Sequence, residues 1–239
     1  MKSAAELLEW TRALGWPEAM VWSLVVNGLV FVITLAVGGW MVRVFRGAPV
    51  SAAPDALSAA ELRLAGACVL GNSLVMWLGW WLFRSGWLRV ATESSPFVAL
   101  ADALILLLVM DFAMYVAHRL AHHPLAFRYV HGVHHRYERV RPLTLFVLHP
   151  LEVLGFGGLW LGVLLLHAFS LPGMLLYLTL NTLFGVLGHV GVEPFPPPVR
   201  ALPIGSSSFH AHHHQDPRSN FGFYTSVWDR LFRTLDARD

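Results

Sequence analysis

Imidazole is a strong ligand for transition metals, and this chain holds its imidazoles in a pattern suited to that use. All thirteen histidines lie after residue 117. Eight fall into three short runs: His118 and His122; His131, His134 and His135; His210, His213 and His214. Spacings of i, i+4 and of i, i+3, i+4 bring side chains onto one side of a helix, so each run is expected to turn its imidazoles toward a common point. One such pair is a frequent surface accident. A pair and two triplets in a chain that has no histidine over its first 117 residues are not, and metal binding is the expected chemistry.

Five histidines lie outside these runs. His189, in Leu187-Gly188-His189-Val190-Gly191, ends an apolar stretch at the level of the runs and is a ninth candidate ligand. His149, ahead of Pro150 and Glu152, is either a further ligand or an anchor for a neighbouring group. His123 and His212 turn away from their neighbours' face at about 100° per residue and suit solvent or outer roles. His167 falls at the far end of the apolar stretches and is expected to be unrelated. So many nitrogen donors exceed the capacity of one four- to six-coordinate ion, so two ions are expected. Imidazole suits iron, zinc and copper alike. An open nitrogen-rich pair of ions facing lipid suits dioxygen binding and attack on an unactivated C–H bond.

Other metal chemistries are excluded by what stands beside the histidines. Arg119 occupies the place where a zinc protease needs its glutamate base. The Glu-x-x-His pattern of carboxylate di-iron bundles is absent. Cys68 is the only cysteine, which leaves no cysteine-built site and no intrachain disulfide.

The elements that position these groups are membrane helices. The chain of 239 residues is 56% hydrophobic and 13% charged, with a mean hydropathy of +0.55, too apolar for a soluble domain. Its formal net charge of +2 is scattered, so no nucleic-acid partner is indicated. The fold class is an all-α integral membrane protein with about four to five transmembrane helices. Residues 3–16 read as a short interfacial helix, and no removable signal peptide is expected. Spans are expected over about 19–44, 62–83 and 97–117, and then over 151–187 as two spans broken at Ser170-Leu171-Pro172-Gly173. Ser58 with Glu61, and Ser95 with Pro96, read as helix starts, and a polar break carrying Arg84, Arg89 and Glu93 separates spans two and three. Trp77, Trp80, Trp81 and Trp87 suit an interfacial belt opposite the histidines. Two parts are expected: residues 1–95, with the interfacial helix and two spans, and residues 96–239, which carry the histidines. Arginines near the span ends place the histidine face in the cytoplasm.

Within the spans, Asp111 lies two turns before His118 on nearly the same face. An intramembrane carboxylate is costly, and Asp111 is expected either to accept an N–H from a ligating imidazole or to pair with an arginine. Asn181, in the last span, either lines a cavity or bonds a neighbouring backbone.

Taken together these residues resemble the fatty acid hydroxylase/sterol desaturase superfamily of membrane di-iron oxygenases. Asp111-Phe112, Tyr115, His118-Arg119 and His122, followed by His131-x-x-His134-His135, are similar to its first two histidine boxes. His149-Pro150-x-Glu152, Gly188-His189-x-Gly191 and His210-x-x-His213-His214 continue the pattern in order. Asn220-Phe221-Gly222 and Trp228-Asp229-Arg230-Leu231-Phe232 are similar to its closing motif, with Arg233 where a glycine is common. The match covers residues 100–236. Some members carry a further histidine at the place of Gly185, where His149 or water would complete the site here. The resemblance implies a helical fold with a cytoplasmic cap over a di-metal centre, two iron ions with zinc as a possible substitute, and O2-dependent hydroxylation or desaturation of a membrane lipid. No haem, flavin or nicotinamide motif is evident, so electrons must come from another protein; a ferredoxin or cytochrome b5-like donor is implied. Metal transport is the competing reading. It would spread ionisable residues along a path across the bilayer, whereas the histidines gather on one side.

Overall fold

The computed structural model describes residues 4–92 and 95–239; Ser3, at the expected start of the first helix, and Glu93, in the expected polar break, lie outside the described residues. Among the described residues there are no β-strands, only three isolated bridges. Among the described residues every regular element is helical.

Helix α1 (Ala4–Ala13) precedes α2 (Trp16–Val44), α3 (Ala59–Arg84) and α4 (Pro96–Ala121). The expected starts are where the capping chemistry puts them. Ser58 Oγ accepts from Glu61 N at 3.2 Å, while the Glu61 carboxylate accepts from Ser58 N at 2.9 Å, closing a capping box. Ser95 Oγ accepts from Val98 N at 3.2 Å with Pro96 in the first turn. Such a cap stabilises a helix by about 1 kcal/mol.

Helix α7 (Pro150–Leu164) and helix α8 (Leu171–His189) form the expected hairpin. Ser170 caps α8 by accepting from Gly173 N, and the buried Asp102 carboxylate receives Ser170 N at 2.7 Å. Four helices, α2, α3, α4 and α8, are long and apolar enough to cross a membrane, by length and composition. Helix α7 is not. Its 15 residues rise about 22 Å, less than a hydrocarbon core of ~30 Å, yet the chain runs here from Glu152 beside His131 to Ser170 beside Asp102, so the expected fourth span is a short helix packed on α3 and α4. That packing is close: a Cβ added at Gly157 of α7 would strike Val75 of α3. Small residues at helix contacts are the usual device for such approach in membranes. Elsewhere apolar side chains face outward; Val21, Leu29, Val32, Ile33 and Trp40 of α2 are all more than a third exposed, a surface that lipid covers.

The two ends of the bundle differ. At one end α1 packs across α3, where Trp80 Nε1 donates to Thr11 O at 2.9 Å and the Trp16, Trp77 and Trp80 rings cluster at 5.2–6.4 Å. At this end Ala91 N also bonds Phe169 O at 3.0 Å. At the other end the α2–α3 loop is tied to the exit of α8 through Val50 N to Gly191 O and Glu193 N to Ala48 O. All of the clustered histidines lie at this second end, under short elements: α5 (Pro124–Ala126), a π-helical turn (Phe127–His131), α6 (Gly132–His135), a 3-10 turn (Pro142–Phe146), α9 (Pro197–Arg200), α10 (Ser207–Gln215) and α11 (Val227–Phe232).

Candidate metal centre

Nine histidines meet in two adjoining groups. His118, His122, His131, His135 and His213 form one; His134, His189, His210 and His214 form the other, with the potential ligand atoms of each group all within 4.8 Å of one another. The expectation that each run serves a common point is therefore corrected. The i, i+4 pairs 118/122, 131/135 and 210/214 stay together, while the i+3 members His134 and His213 enter the opposite group. On a helix the i+4 residue lies about 40° from residue i and the i+3 residue about 60° to the other side, so each triplet straddles the two groups. The π-helical turn ends on His131, a wide turn of the kind that recurs at functional sites.

Hydrogen bonds fix which nitrogen is bare in five of the nine rings. The Nδ1 atoms of His118, His134, His189 and His213 lie 2.9, 3.1, 2.9 and 2.6 Å from the carbonyl oxygens of Phe221, Val147, Gly185 and Ser219, and His131 Nδ1 lies 2.5 Å from Glu152 Oε1. Carbonyl and carboxylate oxygens only accept, so Nδ1 carries the proton and Nε2 presents a lone pair. Yet the Nε2 atoms face one another: His118 and His131 at 3.2 Å, His131 and His135 at 3.1 Å, His134 and His189 at 3.2 Å, His189 and His210 at 3.1 Å. His118 with His131, and His134 with His189, thus set two lone pairs 3.2 Å apart, which repel unless a cation lies between them. Bonds of about 2.1 Å to one ion separate neighbouring nitrogens by roughly 3.0–3.4 Å, which matches. The buried Nε2 atoms of His122, His213 and His214 have no protein partner at all. The donor set thus fits two nitrogen-bound metal ions.

Electrostatics agree. Burial, reinforced by neighbouring imidazoles, holds His134 down at about 4 and pushes His122, His131, His135, His210, His213 and His214 well below the usual histidine range. The rings are neutral at pH 7 and ready to donate lone pairs.

His149 joins neither group. Its Nδ1 accepts from Leu151 N at 3.2 Å and caps α7, so of the two sequence expectations the structure supplies the anchoring one. The residue three places on does the outer work. Glu152 is 6% exposed and receives His131 Nδ1, a role the sequence reading did not assign to it beyond its place in a motif. An outer carboxylate of this kind typically carries 10–100-fold in metal affinity. Glu152→Ala is expected to lower metal affinity within that range, measured by competition with a chelator; affinity within twofold of the parent would remove the role.

Asp111 does not reach an imidazole. It lies two turns, about 11 Å, below His118, level with the closing segment that folds back along α4. There it accepts from Tyr224 N (3.3 Å), Thr225 N (3.2 Å), Thr225 Oγ1 (2.6 Å) and Trp228 Nε1 (3.0 Å). Asp111 therefore positions the segment whose Phe221 carbonyl receives His118. Asn181 bonds a side chain and not the backbone: its Oδ1 accepts from Tyr224 OH at 2.7 Å, and that hydroxyl lies 2.8 Å from Tyr177 OH. The segment is knotted further by the fully buried Asp229, which accepts from Phe221 N, Gly222 N and Thr234 Oγ1 at 2.7–2.8 Å. Arg233 follows α11 at φ 57°, the left-handed region where glycine is unstrained. A second intramembrane carboxylate, Asp102, escaped the sequence reading; its partner Ser170 N lies at the far end. His212 and His123 stand outside both groups, and His167 packs on Phe169 at 4.8 Å, far from them.

Gly188 shows how close the packing is at the centre. A Cβ there would lie 3.2 Å from His210 Cδ2, so the absence of a side chain lets α10 lay its imidazole against α8.

The fatty acid hydroxylase family model matches residues 103–234, more than half of the chain and all nine clustered histidines. The C-4 methylsterol oxidase of Schizosaccharomyces pombe is 33% identical over 127 residues, 50% of this chain and 42% of the relative. A Delta(7)-sterol 5(6)-desaturase of Aspergillus fumigatus is 28% identical over 59% of this chain and 39% of its own length. A very-long-chain aldehyde decarbonylase of Oryza sativa subsp. indica is 31% identical over 68% and 63%. The chain thus spans about two fifths to two thirds of these relatives. No solved structure matches it. With its histidine boxes and closing segment assembled around one centre, the chain belongs to the fatty acid hydroxylase family.

Proposed function

We propose that this chain is an O2-dependent di-iron lipid hydroxylase acting at the membrane surface. The observation that carries the reading is the pair of imidazole groups, in each of which two Nε2 lone pairs face one another at 3.2 Å, at one end of a bundle of apolar helices. Iron held there supplies dioxygen activation and attack on an unactivated C–H bond. The chain's own residues do the rest. Carbonyls of Phe221, Val147, Gly185 and Ser219 fix ring tautomers, Glu152 raises the basicity of His131, and Asp111 and Asp229 hold the closing segment over the centre. Asp111 and Asn181 act as positioning residues in this reading.

Relatives named as sterol oxidase, sterol desaturase and aldehyde decarbonylase support oxidation of a lipid; desaturation at the same centre is the nearest variant. Residues 96–239 form the catalytic part, and residues 1–95 anchor it. Arginines 43, 46, 63, 119, 128, 136, 139 and 141 at the histidine end support its placement in the cytoplasm, where a ferredoxin or cytochrome b5-like donor would dock. A transport or structural zinc role is the weaker reading, since the clustered histidines gather at one end and line no path across the bilayer.

Turnover is expected to require both dioxygen and an added electron donor. Product formed by the purified protein under anaerobic conditions would sink the oxygenase assignment.

A further inference from the structure

The closing segment reaches well below the histidines. On α4 it meets Asp111 and Phe112: Trp228 Nε1 donates to the Asp111 carboxylate, and the Trp228 ring lies 4.7 Å from that of Phe112. On α8 it meets Asn181 and Tyr177 through the Tyr224 hydroxyl. Asp111 stands seven residues before His118 and Asn181 eight before His189, so both helices place this tip about 11–12 Å below the histidines. The outward apolar surface rises past that depth. Leu120 at the end of α4 is 64% exposed and Trp40 near the end of α2 is 59% exposed, and Met41 beside Trp40 packs with Val186 and Val190 of the chain around His189. Lipid-facing side chains thus reach the level of the histidines, and the tip of the closing segment lies at hydrocarbon depth.

Non-helical backbone at that depth has no water to bond, so protein must meet its N–H groups. Asn220 N donates to Thr234 O at 2.8 Å, Phe221 N and Gly222 N to the Asp229 carboxylate, and Tyr224 N and Thr225 N to the Asp111 carboxylate. Ser226 N donates to Pro203 O at 3.2 Å and Val227 N to Thr225 Oγ1 at 3.3 Å. Asn220, Phe221, Gly222, Tyr224 and Ser226 are buried. Two carboxylates, costly inside a membrane, are therefore committed to the backbone of one loop, a task that solvent performs on a wet surface. What faces outward is helical. Val227 and Leu231 of α11, four residues apart and on one face, are exposed together with Phe232, Leu231 by 64%. Arg230 and Arg233 are exposed beside them, and their long apolar stems carry the charges toward headgroup level.

We propose that residues 220–232 form a re-entrant element: the closing segment dips into the leaflet on the histidine side, and α11 lies against its acyl chains with Arg230 and Arg233 at the phosphate headgroups. The bilayer is the partner of this surface because the exposed face of α11 continues that of α4 through the Trp228–Phe112 contact, and because cations border it where the headgroups lie. Asp111 and Asp229 gain a common purpose. They make a loop that cannot be solvated acceptable at membrane depth, and the Phe221 carbonyl that receives His118 Nδ1 is thereby anchored in lipid.

The test is a fluorescence depth measurement on the full chain in phosphatidylcholine nanodiscs, with a dye on single cysteines introduced into a Cys68→Ala background. Leu231→Cys and Val227→Cys report on α11, Leu108→Cys on the middle of α4, and Glu138→Cys on a loop beyond the spans. Dye at 231 and 227 is expected to be quenched by lipid that carries a doxyl group near the head of its acyl chain, and roughly fivefold less by aqueous iodide than dye at 138. A doxyl group near the chain end should quench dye at 108 more strongly than dye at 231 or 227. Iodide quenching at 231 and 227 equal to that at 138 would put α11 in water and overturn the proposal. Protection from iodide and doxyl lipid alike would mean that a second copy or another protein covers the face, which overturns it equally. Should Leu231→Cys fail to fold, Val227→Cys decides on the same readings. The quenching needs neither iron nor turnover, so a failure of the oxygenase reading leaves its result intact, and a hydrated α11 would leave that reading standing.

Discussion

Replacing His131 by alanine is expected to abolish turnover and to strip metal from the five-histidine group. His131 is central to that group. Its Nε2 lies 3.2 Å from that of His118 and 3.1 Å from that of His135, and its Nδ1 meets Glu152 at 2.5 Å. Removing the ring deletes a donor and also leaves a buried carboxylate without its partner. The loss should exceed the roughly 10–100-fold that an outer partner carries. His213→Ala should behave alike, since His213 belongs to the same group. His149→Ser supplies the contrast: it keeps a capping oxygen for α7 and touches neither group, so metal content and rate should stay near those of the parent. Full turnover in His131→Ala or His213→Ala would remove that residue from the metal centre.

Asp111→Ala is expected to have the largest effect on stability. Four donors converge on this one carboxylate, two of them backbone N–H groups of the closing segment. A buried donor left unsatisfied costs about 1–3 kcal/mol, and water entering the gap offsets part of the sum, so a loss of roughly 3 kcal/mol or more is expected. Because the segment carries the Phe221 carbonyl that orients His118, the metal should be lost with it. Asp111→Asn keeps two acceptor sites on one oxygen and should retain a measurable fraction of both stability and metal. Thermal unfolding of the two variants in detergent, with metal analysis, separates them; an Asp111→Ala protein as stable as the parent would show that the segment is held from elsewhere.

The histidine runs were legible because an imidazole at helical spacing announces both its element and its chemistry. Ser58, Ser95 and Ser170 likewise announce the helix starts, since a cap is a local interaction. The division of the nine rings into two groups was not legible. It depends on how the ends of α4, α8 and α10 meet the segment 124–135, and spacing within one helix carries no information about that meeting. Asp111 was misjudged for the same reason: its distance from His118 along α4 is readable, but the closing segment that folds back beside it arrives from more than a hundred residues away. Glu152 was hidden by its neighbour, because His149 has the more suggestive side chain for a metal site while the carboxylate one turn later is the group that faces inward.

The most direct test of the di-iron reading is Mössbauer spectroscopy with total metal analysis on protein purified from cells grown on iron-57. About two magnetically coupled irons per chain are expected, one for each histidine group. A centre filled only by zinc after iron-replete growth would contradict it.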